Sequence, residues 1–307
     1  IICFAILSAT GFIMITSATL DYALQEMSNS FHFIIKHLIY LSLGLFIATI
    51  ITKIKLSFYH DYSKAFLLLA FLISLIVFIP GLGREINGAR RWLDLGFITV
   101  QVSEVSRLFI MIWICSFITK NDINKSFNKC LLMIFLLCSI ILIQRDFGST
   151  ALLVFTFFSL MLIVGLNIKK LFSYLLLAVI ISIPLIIFQP YRLKRIISFL
   201  NPWEDPTGSG YQLIASLLAF GKGGIFGLGL GSSVQKLLYL PESYNDFIFA
   251  LIAEELGLLF SLMIIVLFGF IFFRIIQLAK KSRDNNLIFA SNLSYTISFF
   301  ITYQALI

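Results

Sequence analysis

"DFIFALIAEELGLLFSLMIIVLFGFIFF", residues 246–273, decides the fold. A helix needs about 20 apolar residues to cross the hydrocarbon of a bilayer. This run is longer, and after Asp246 its only charges are Glu254 and Glu255. The residues before it, LPESYN (240–245), are polar. An aspartate thus stands at the mouth of a membrane-length helix. Ser243-x-x-Asp246 reads as a capping box, with Asp246 at the helix N-terminus.

The rest of the chain repeats that pattern. Its 307 residues are 60% hydrophobic and 12% charged, with 33 phenylalanines. A soluble domain carries about 25% charged residues. The expected fold is an all-α polytopic integral membrane protein, because apolar runs near 20 residues recur. Nine spans are expected, near 1–18, 34–52, 65–82, 104–119, 130–144, 148–168, 171–189, 246–273 and 288–307. They make one domain over 1–307, with a large extracytoplasmic loop at 190–245 before the eighth span. Both ends fall inside apolar runs, so the chain is expected to continue beyond them.

The net charge of +8 does not indicate nucleic-acid binding. Lys and Arg concentrate in loops 53–64, 120–129, 168–170 and 274–287, which alternate with the others. The positive-inside rule puts those four loops, and the N-terminus, in the cytoplasm. Loops 83–103 and 190–245 and the turn at 145–147 then face outward. They carry Arg84, Arg90, Arg91, Arg192, Lys194 and Arg195 against the rule. Those cations either meet an anionic ligand or snorkel to lipid headgroups. Cys3, Cys115, Cys130 and Cys138 lack metal-ligand spacing and read as small core residues.

Charges inside spans are costly and ask for partners. Glu104 and Arg107 are three residues apart on one helix and can pair. Asp146, in QRDFGST (144–150), either caps the next helix or pairs with Arg145 or another loop arginine. Asp246, Ala250, Ala253 and Gly257 form a small-residue stripe, suited to tight packing or to a lipid chain. Glu254 and Glu255 lie off that stripe. GGIFGLGLGSS (223–233) lacks the strand and lysine of a nucleotide loop and reads as close backbone packing or an anion nest. YQLIASLLAFGK (211–222) reads as a short interfacial helix.

Three blocks together resemble the SEDS family (shape, elongation, division, sporulation). They are GARRWLDLGFITVQVSE (88–104), QRDFGST (144–150) and NPWEDPTGSGYQLIASLLAFGKGGIFGLGLGSSVQKLLYLPESYNDFIFALIAEELG (201–257). Their order and spacing match as well, and VQKLLYLPE (234–242) followed by DFIFALIAEELG is closer to the division branch than to the elongation branch. The resemblance implies a ten-span protein whose last span and glycine- and serine-rich segment follow residue 307. This chain departs from the family pattern in several places. Val102 stands where the family has proline, Arg107 where it has lysine, Arg145 where it has proline, and Tyr244-Asn245 where it has His-Thr.

The resemblance also implies an activity. It is polymerisation of lipid II, an undecaprenyl-pyrophosphate disaccharide-peptide, on the outer face of the cytoplasmic membrane at the division septum. Implied partners are a class B penicillin-binding protein transpeptidase and other divisome proteins. Asp246 occupies the position of the family's catalytic acid. The reaction needs a base for the attacking hydroxyl and cations for the departing pyrophosphate. Asp246 is the expected base. Arg90, Arg91, Glu104, Arg107, Arg145, Asp146 and Arg195 are the expected substrate-binding residues. No cofactor is required by the sequence, and a divalent cation, Mg or Mn, can assist at Asp246. A lipid II flippase, an elongation-type polymerase and a non-catalytic division scaffold are the alternatives.

Overall fold

The computed structural model describes residues 1–26, 31–86, 88–94, 96, 98–188, 190–236 and 245–306. The chain divides into two compact units. One comprises Ile1–Lys53 and Ala178–Phe270, and the other comprises Ile54–Leu177 and Ile271–Ile307.

The first unit begins with α1 (Ile2–Glu26) and α2 (His32–Lys53). It resumes within α8 (Ile168–Ile187) and continues through α9 (Pro190–Leu200), a 3-10 turn at Pro202–Glu204 and α10 (Tyr211–Gly223) into α11 (Ile248–Asp284). Its core joins Met14 and Ala18 of α1, Ala215 and Ala219 of α10, and Ala250, Leu251, Ile252 and Ile264 of α11. The alanines of this seam let helices approach closely where no hydrophobic force separates helix from lipid.

The second unit holds α3 (Leu56–Asp61), α4 (Ser63–Ile76), α5 (Val102–Lys120), α6 (Ile123–Ile143), α7 (Phe147–Val164) and α12 (Ile288–Leu306). Helix α5 is its central element, with Ile110, Met111, Trp113, Ile114 and Cys115 buried. Phe127 of α6 stacks on Phe157 of α7 with ring centroids 5.9 Å apart.

Among the described residues, six helices are long and apolar enough to cross a membrane: α2, α5, α6, α7, α11 and residues 2–20 of α1. The fold is mostly helical but not all-α. The expected loop 83–103 contains a three-stranded antiparallel sheet, with β1 (Gly83–Ile86), β2 (Ala89–Asp94) and β3 (Thr99–Gln101) in spatial order. Asn-Gly at 87–88 is a strong hairpin signal, and Gly88 takes the φ of +72° that such a turn demands. The expected span at 65–82 is shorter, since α4 stops at Ile76 and turns follow. Among its described residues, the expected loop 190–245 holds two α-helices: α10, which matches the short helix read from the sequence, and α9, which was not foreseen.

Candidate functional site

Helix α11 is broken. Gly257 has φ 79° and ψ 179°, a conformation that only glycine occupies readily. The break frees backbone groups that hydrocarbon would penalise heavily. The glycine-rich segment supplies their partners. Leu228 N–H donates to Glu254 C=O at 2.9 Å and Gly229 N–H to Glu255 C=O at 2.9 Å. In return Leu258 N–H donates to Gly224 C=O at 3.0 Å and Leu259 N–H to Ile225 C=O at 3.3 Å. Close backbone packing, one of the two readings of this segment, is what its glycines provide.

The same segment continues into a buried polar cluster. The Glu254 carboxylate accepts from Val234 N–H at 3.2 Å, Gln235 N–H at 3.3 Å and the Ser233 hydroxyl. The Glu255 carboxylate accepts from the Ser17 hydroxyl of α1 at 2.8 Å and from Ser233 N–H at 3.4 Å. It also meets Lys236 Nζ at 3.3 Å, in an ion pair whose side chains are 6% and 0% exposed. Lys236 Nζ donates as well to the Ser17 hydroxyl at 3.3 Å and the Ser17 carbonyl at 3.4 Å.

Asp246 lies upstream of this cluster. It is exposed, two residues before the first residue of α11. Phe247 C=O accepts the first helical bonds, from Ala250 at 3.0 Å and Leu251 at 3.3 Å, so Phe247 occupies the cap position. The expected cap at Asp246 is therefore displaced by one residue. Ser243, the other half of the expected capping box, lies outside the described residues, as does Tyr244. Below Asp246, Ala250 and Ala253 are buried, so that part of the small-residue stripe serves packing. Arg195 is exposed on α9. Next to it, Lys194, Leu193, Ile197, Glu204 and Asp205 line a cavity of about 290 Å³. Asp205 accepts from Ser209 N–H at 3.0 Å and pairs with Lys194 at 3.2 Å, and these contacts hold its carboxyl at about 2.

The second unit gathers the other expected residues. Asp146 caps α7 by accepting from Ser149 N–H at 3.1 Å. It also accepts from the Ser103 hydroxyl at 2.8 Å and the Gln101 amide at 2.9 Å. Burial alone would raise its carboxyl pKa, but the hydrogen bonds from Ser149, Ser103 and Gln101 outweigh burial and hold it below the usual carboxylate range. Arg91 donates to the carbonyls just past the C-terminus of α6, reaching Gln144 C=O at 3.3 Å and Arg145 C=O. That is a favourable place for a cation, at the negative end of a helix. Arg145 is exposed and takes φ 63°, uncommon for a residue with a Cβ. Arg90 pairs with Glu85 across the sheet at 3.0 Å.

The expected Glu104–Arg107 pair is not formed among the described residues. Glu104 faces outward while Arg107 is 1% exposed. Arg107 instead donates to Ser103 C=O at 3.3 Å and to the Gln304 side chain at 3.5 Å, with its guanidinium 4.9 Å over the Phe300 ring. A helix step of three residues turns the two side chains about 60° apart. Here that is enough to put one in the bundle and the other outside it.

A family model described as cell cycle protein, covering FtsW, RodA and SpoVE, matches residues 1–307. The chain belongs to the FtsW/RodA/SpoVE family. Its curated relatives include a probable peptidoglycan glycosyltransferase FtsW from Coxiella burnetii, 39% identical over 100% of this chain and 84% of that protein. The corresponding protein of Wigglesworthia glossinidia brevipalpis is 38% identical over 98% of this chain and 80% of its own length. Among solved structures, a chain of a peptidoglycan synthase complex superimposes with a TM-score of 0.76 at 21% identity, covering 99% of this chain and 83% of that one. Thermus thermophilus RodA superimposes with a TM-score of 0.64 at 21% identity, covering 97% and 80%. These two likenesses establish a shared fold.

In this FtsW/RodA/SpoVE chain the structure adds residues that the sequence reading did not single out. They are Ser17, Ser233 and Lys236 around Glu254 and Glu255, and Gln101 and Ser103 around Asp146. Asp246 and Arg195 belong to one compact unit, and Arg90, Arg91, Glu104, Arg107, Arg145 and Asp146 to the other.

Proposed function

We propose that this chain is a peptidoglycan glycosyltransferase of the division type, polymerising lipid II at the outer face of the cytoplasmic membrane. The observation that carries the reading is the run of relatives bearing that name, which match 98–100% of the chain at 38–39% identity. Geometry supports Asp246 as the base. Of the three acids at the start of α11, Glu254 and Glu255 are buried and committed to hydrogen bonds. Asp246 alone is exposed, and no hydrogen bond or ion pair engages it among the described residues.

A carboxylate in that position accepts the proton of the attacking sugar hydroxyl as the glycosidic bond forms. The pyrophosphate leaves with its negative charge, which cationic donors stabilise. Arg90, Arg107, Arg145 and Arg195 are proposed for that role. Arg91 joins them with its remaining donors, since two contacts already go to helix carbonyls. Asp146 and Glu104 complete the proposed substrate-binding set, Asp146 by holding Gln101 and Ser103 in place. No cluster of three metal-binding side chains occurs among the described residues. Asp246 would hold a Mg or Mn ion, whose charge would offset that of the departing pyrophosphate.

The proposed setting is the cytoplasmic membrane, crossed about nine times by this chain, with a cytoplasmic N-terminus. The chain would work at the septum beside a class B penicillin-binding protein and other divisome proteins. The complex that shares the fold coordinates polymerisation and crosslinking, which is consistent with such a partner.

The test is lipid II polymerisation by purified full-length protein, with and without divalent cation. Asp246→Asn keeps the shape and removes the base. Glycan strands should disappear, and normal strands from that variant would refute the assignment.

One observation favours a second reading, a lipid II flippase. Broken helices with charges at membrane depth mark transport sites, and α11 is broken at Gly257 beside Lys236, Glu254 and Glu255. Lys236 and Glu255 pair with each other and Glu254 is held by hydrogen bonds, which suits a fixed structure better than a path. Lipid II translocation in vesicles holding only this protein separates the readings.

A further inference from the structure

Helix α9 turns its apolar face away from the protein. Leu193, Ile196, Ile197 and Leu200 recur at i, i+3, i+4 and i+7, so they form one stripe along it. In a water-soluble fold such a stripe meets the core. Here all four residues are exposed, Leu200 by 77%. Among the helix's described side chains Ser198 alone is buried, and its hydroxyl donates to that of Ser209. At about 100° per residue, Ser198 stands about 150° round the helix from the middle of the stripe. The packed side and the apolar side are therefore nearly opposite.

The surroundings of α9 say what covers the stripe. Just before it, α8 exposes Ile180, Ile183 and Ile187, as expected of a span facing acyl chains, and Phe188 between the two helices is exposed as well. Just after it, Trp203 is 62% exposed, and tryptophan favours the boundary between membrane and water. Helix α9 carries no acid, and Lys194 and Arg195 lie on its polar side. An apolar stripe backed by cations is the pattern of a helix lying in the membrane interface.

We infer that α9 lies flat in the outer leaflet, with Ile196, Phe199 and Leu200 among the upper acyl segments and Lys194 and Arg195 level with the lipid phosphates. The choice of leaflet rests on the proposed orientation of the chain, and the embedding does not. The helix then fixes the height of residues 190–205, and it holds Arg195 at the depth of a lipid-linked pyrophosphate, the ligand proposed for it above.

The test places an environment-sensitive fluorophore on Ile196→Cys, Leu200→Cys or Lys194→Cys in otherwise cysteine-free, full-length protein. The protein is reconstituted alone into vesicles of phosphatidylethanolamine and phosphatidylglycerol, without lipid II. Phospholipids brominated high or low on the acyl chain report depth. The labels at Ile196→Cys and Leu200→Cys should lie about 5–10 Å into the boundary between headgroups and acyl chains and lose emission mainly to the shallow bromines. The label at Lys194→Cys should lie nearer the water. Equal quenching at all three positions, or quenching mainly by the deep bromines, overturns the inference. So do labels that no bromolipid quenches. If those labels shift to the blue only when a class B penicillin-binding protein is added, a protein covers the face instead. A further variant shows whether the stripe itself holds the helix. Phe199→Cys, labelled in the same way, should be quenched, and adding Ile196→Asp with Leu200→Asp should abolish that quenching. Quenching that survives both aspartates overturns the inference. None of these readouts needs polymerisation, so the outcome for Asp246→Asn bears only on the base assignment.

Discussion

Gly257 and Gly227 meet backbone to backbone. A Cβ built on Gly257 would stand 2.4 Å from Gly227 N, and one on Gly227 would stand 2.2 Å from the Glu255 carbonyl oxygen. Both glycines have positive φ, at 79° and 83°. Steric room and dihedral angle thus exclude a side chain at each position.

Gly257→Ala and Gly227→Ala should each destabilise the protein by at least about 2 kcal/mol. Gly269, on the same helix with open space around its would-be Cβ, is the control. Gly269→Ala should leave the thermal unfolding midpoint unchanged or raised, since alanine favours helix. Equal midpoints for all three variants would contradict the backbone contact.

Arg145 is predicted to reject the residue that the family pattern places there. Its φ of 63° is closed to proline, and its N–H donates to Leu142 C=O at 2.9 Å, a bond proline cannot make. Arg145→Pro should cost about 3 kcal/mol or more. Arg145→Gly should be stabilising by up to about 1 kcal/mol, because glycine enters this region without strain. Chemical denaturation of the two variants in detergent reads both signs.

Asp146→Ala removes the cap of α7 and leaves the Ser103 hydroxyl and the Gln101 amide without their acceptor. A lost cap costs about 1 kcal/mol, and buried orphaned donors about 1–3 kcal/mol more. Asp146→Asn keeps the shape and should fall between wild type and Asp146→Ala. The ordering of the three midpoints is the check.

Asp205 gives a pH dependence. Its carboxyl is held at about 2 by Ser209 N–H first, then by Lys194 and the Ser209 hydroxyl. A depressed carboxyl contributes stability that is present above the unfolded value near 4 and lost as pH falls toward 2. The stability gap between wild type and Asp205→Asn should therefore be constant at neutral pH and shrink between about pH 4 and 2. A gap that widens on acidification would show the opposite shift.

The long spans were legible because unbroken apolar runs need no partner to be read. The run at 246–273 gave α11, and RDFGST gave Asp146 as the cap of α7. What stayed hidden depends on contacts between distant parts of the chain. Glycine within an apolar run signals nothing by itself, so the break at Gly257 was invisible without its partner Gly227. Lys236 was not singled out, because its counter-ion, Glu255, sits on a helix nineteen residues later. The small sheet was missed because its strands are short and carry Arg84, Arg90 and Arg91, although Asn-Gly at 87–88 marked the hairpin. The Glu104–Arg107 pairing followed from spacing alone, and spacing does not say which side chain the bundle will enclose.

The hydrogen bonds that bridge the break in α11 have a consequence for biogenesis. A continuous transmembrane helix can leave the translocon as a finished unit, because all its peptide groups are paired within it. Residues 254–259 cannot, since their partners lie at 224–229, a stretch synthesised earlier. That stretch has to be held in reserve until α11 arrives, and the two must enter the bilayer together. Lateral release and tertiary assembly become one step for this part of the chain.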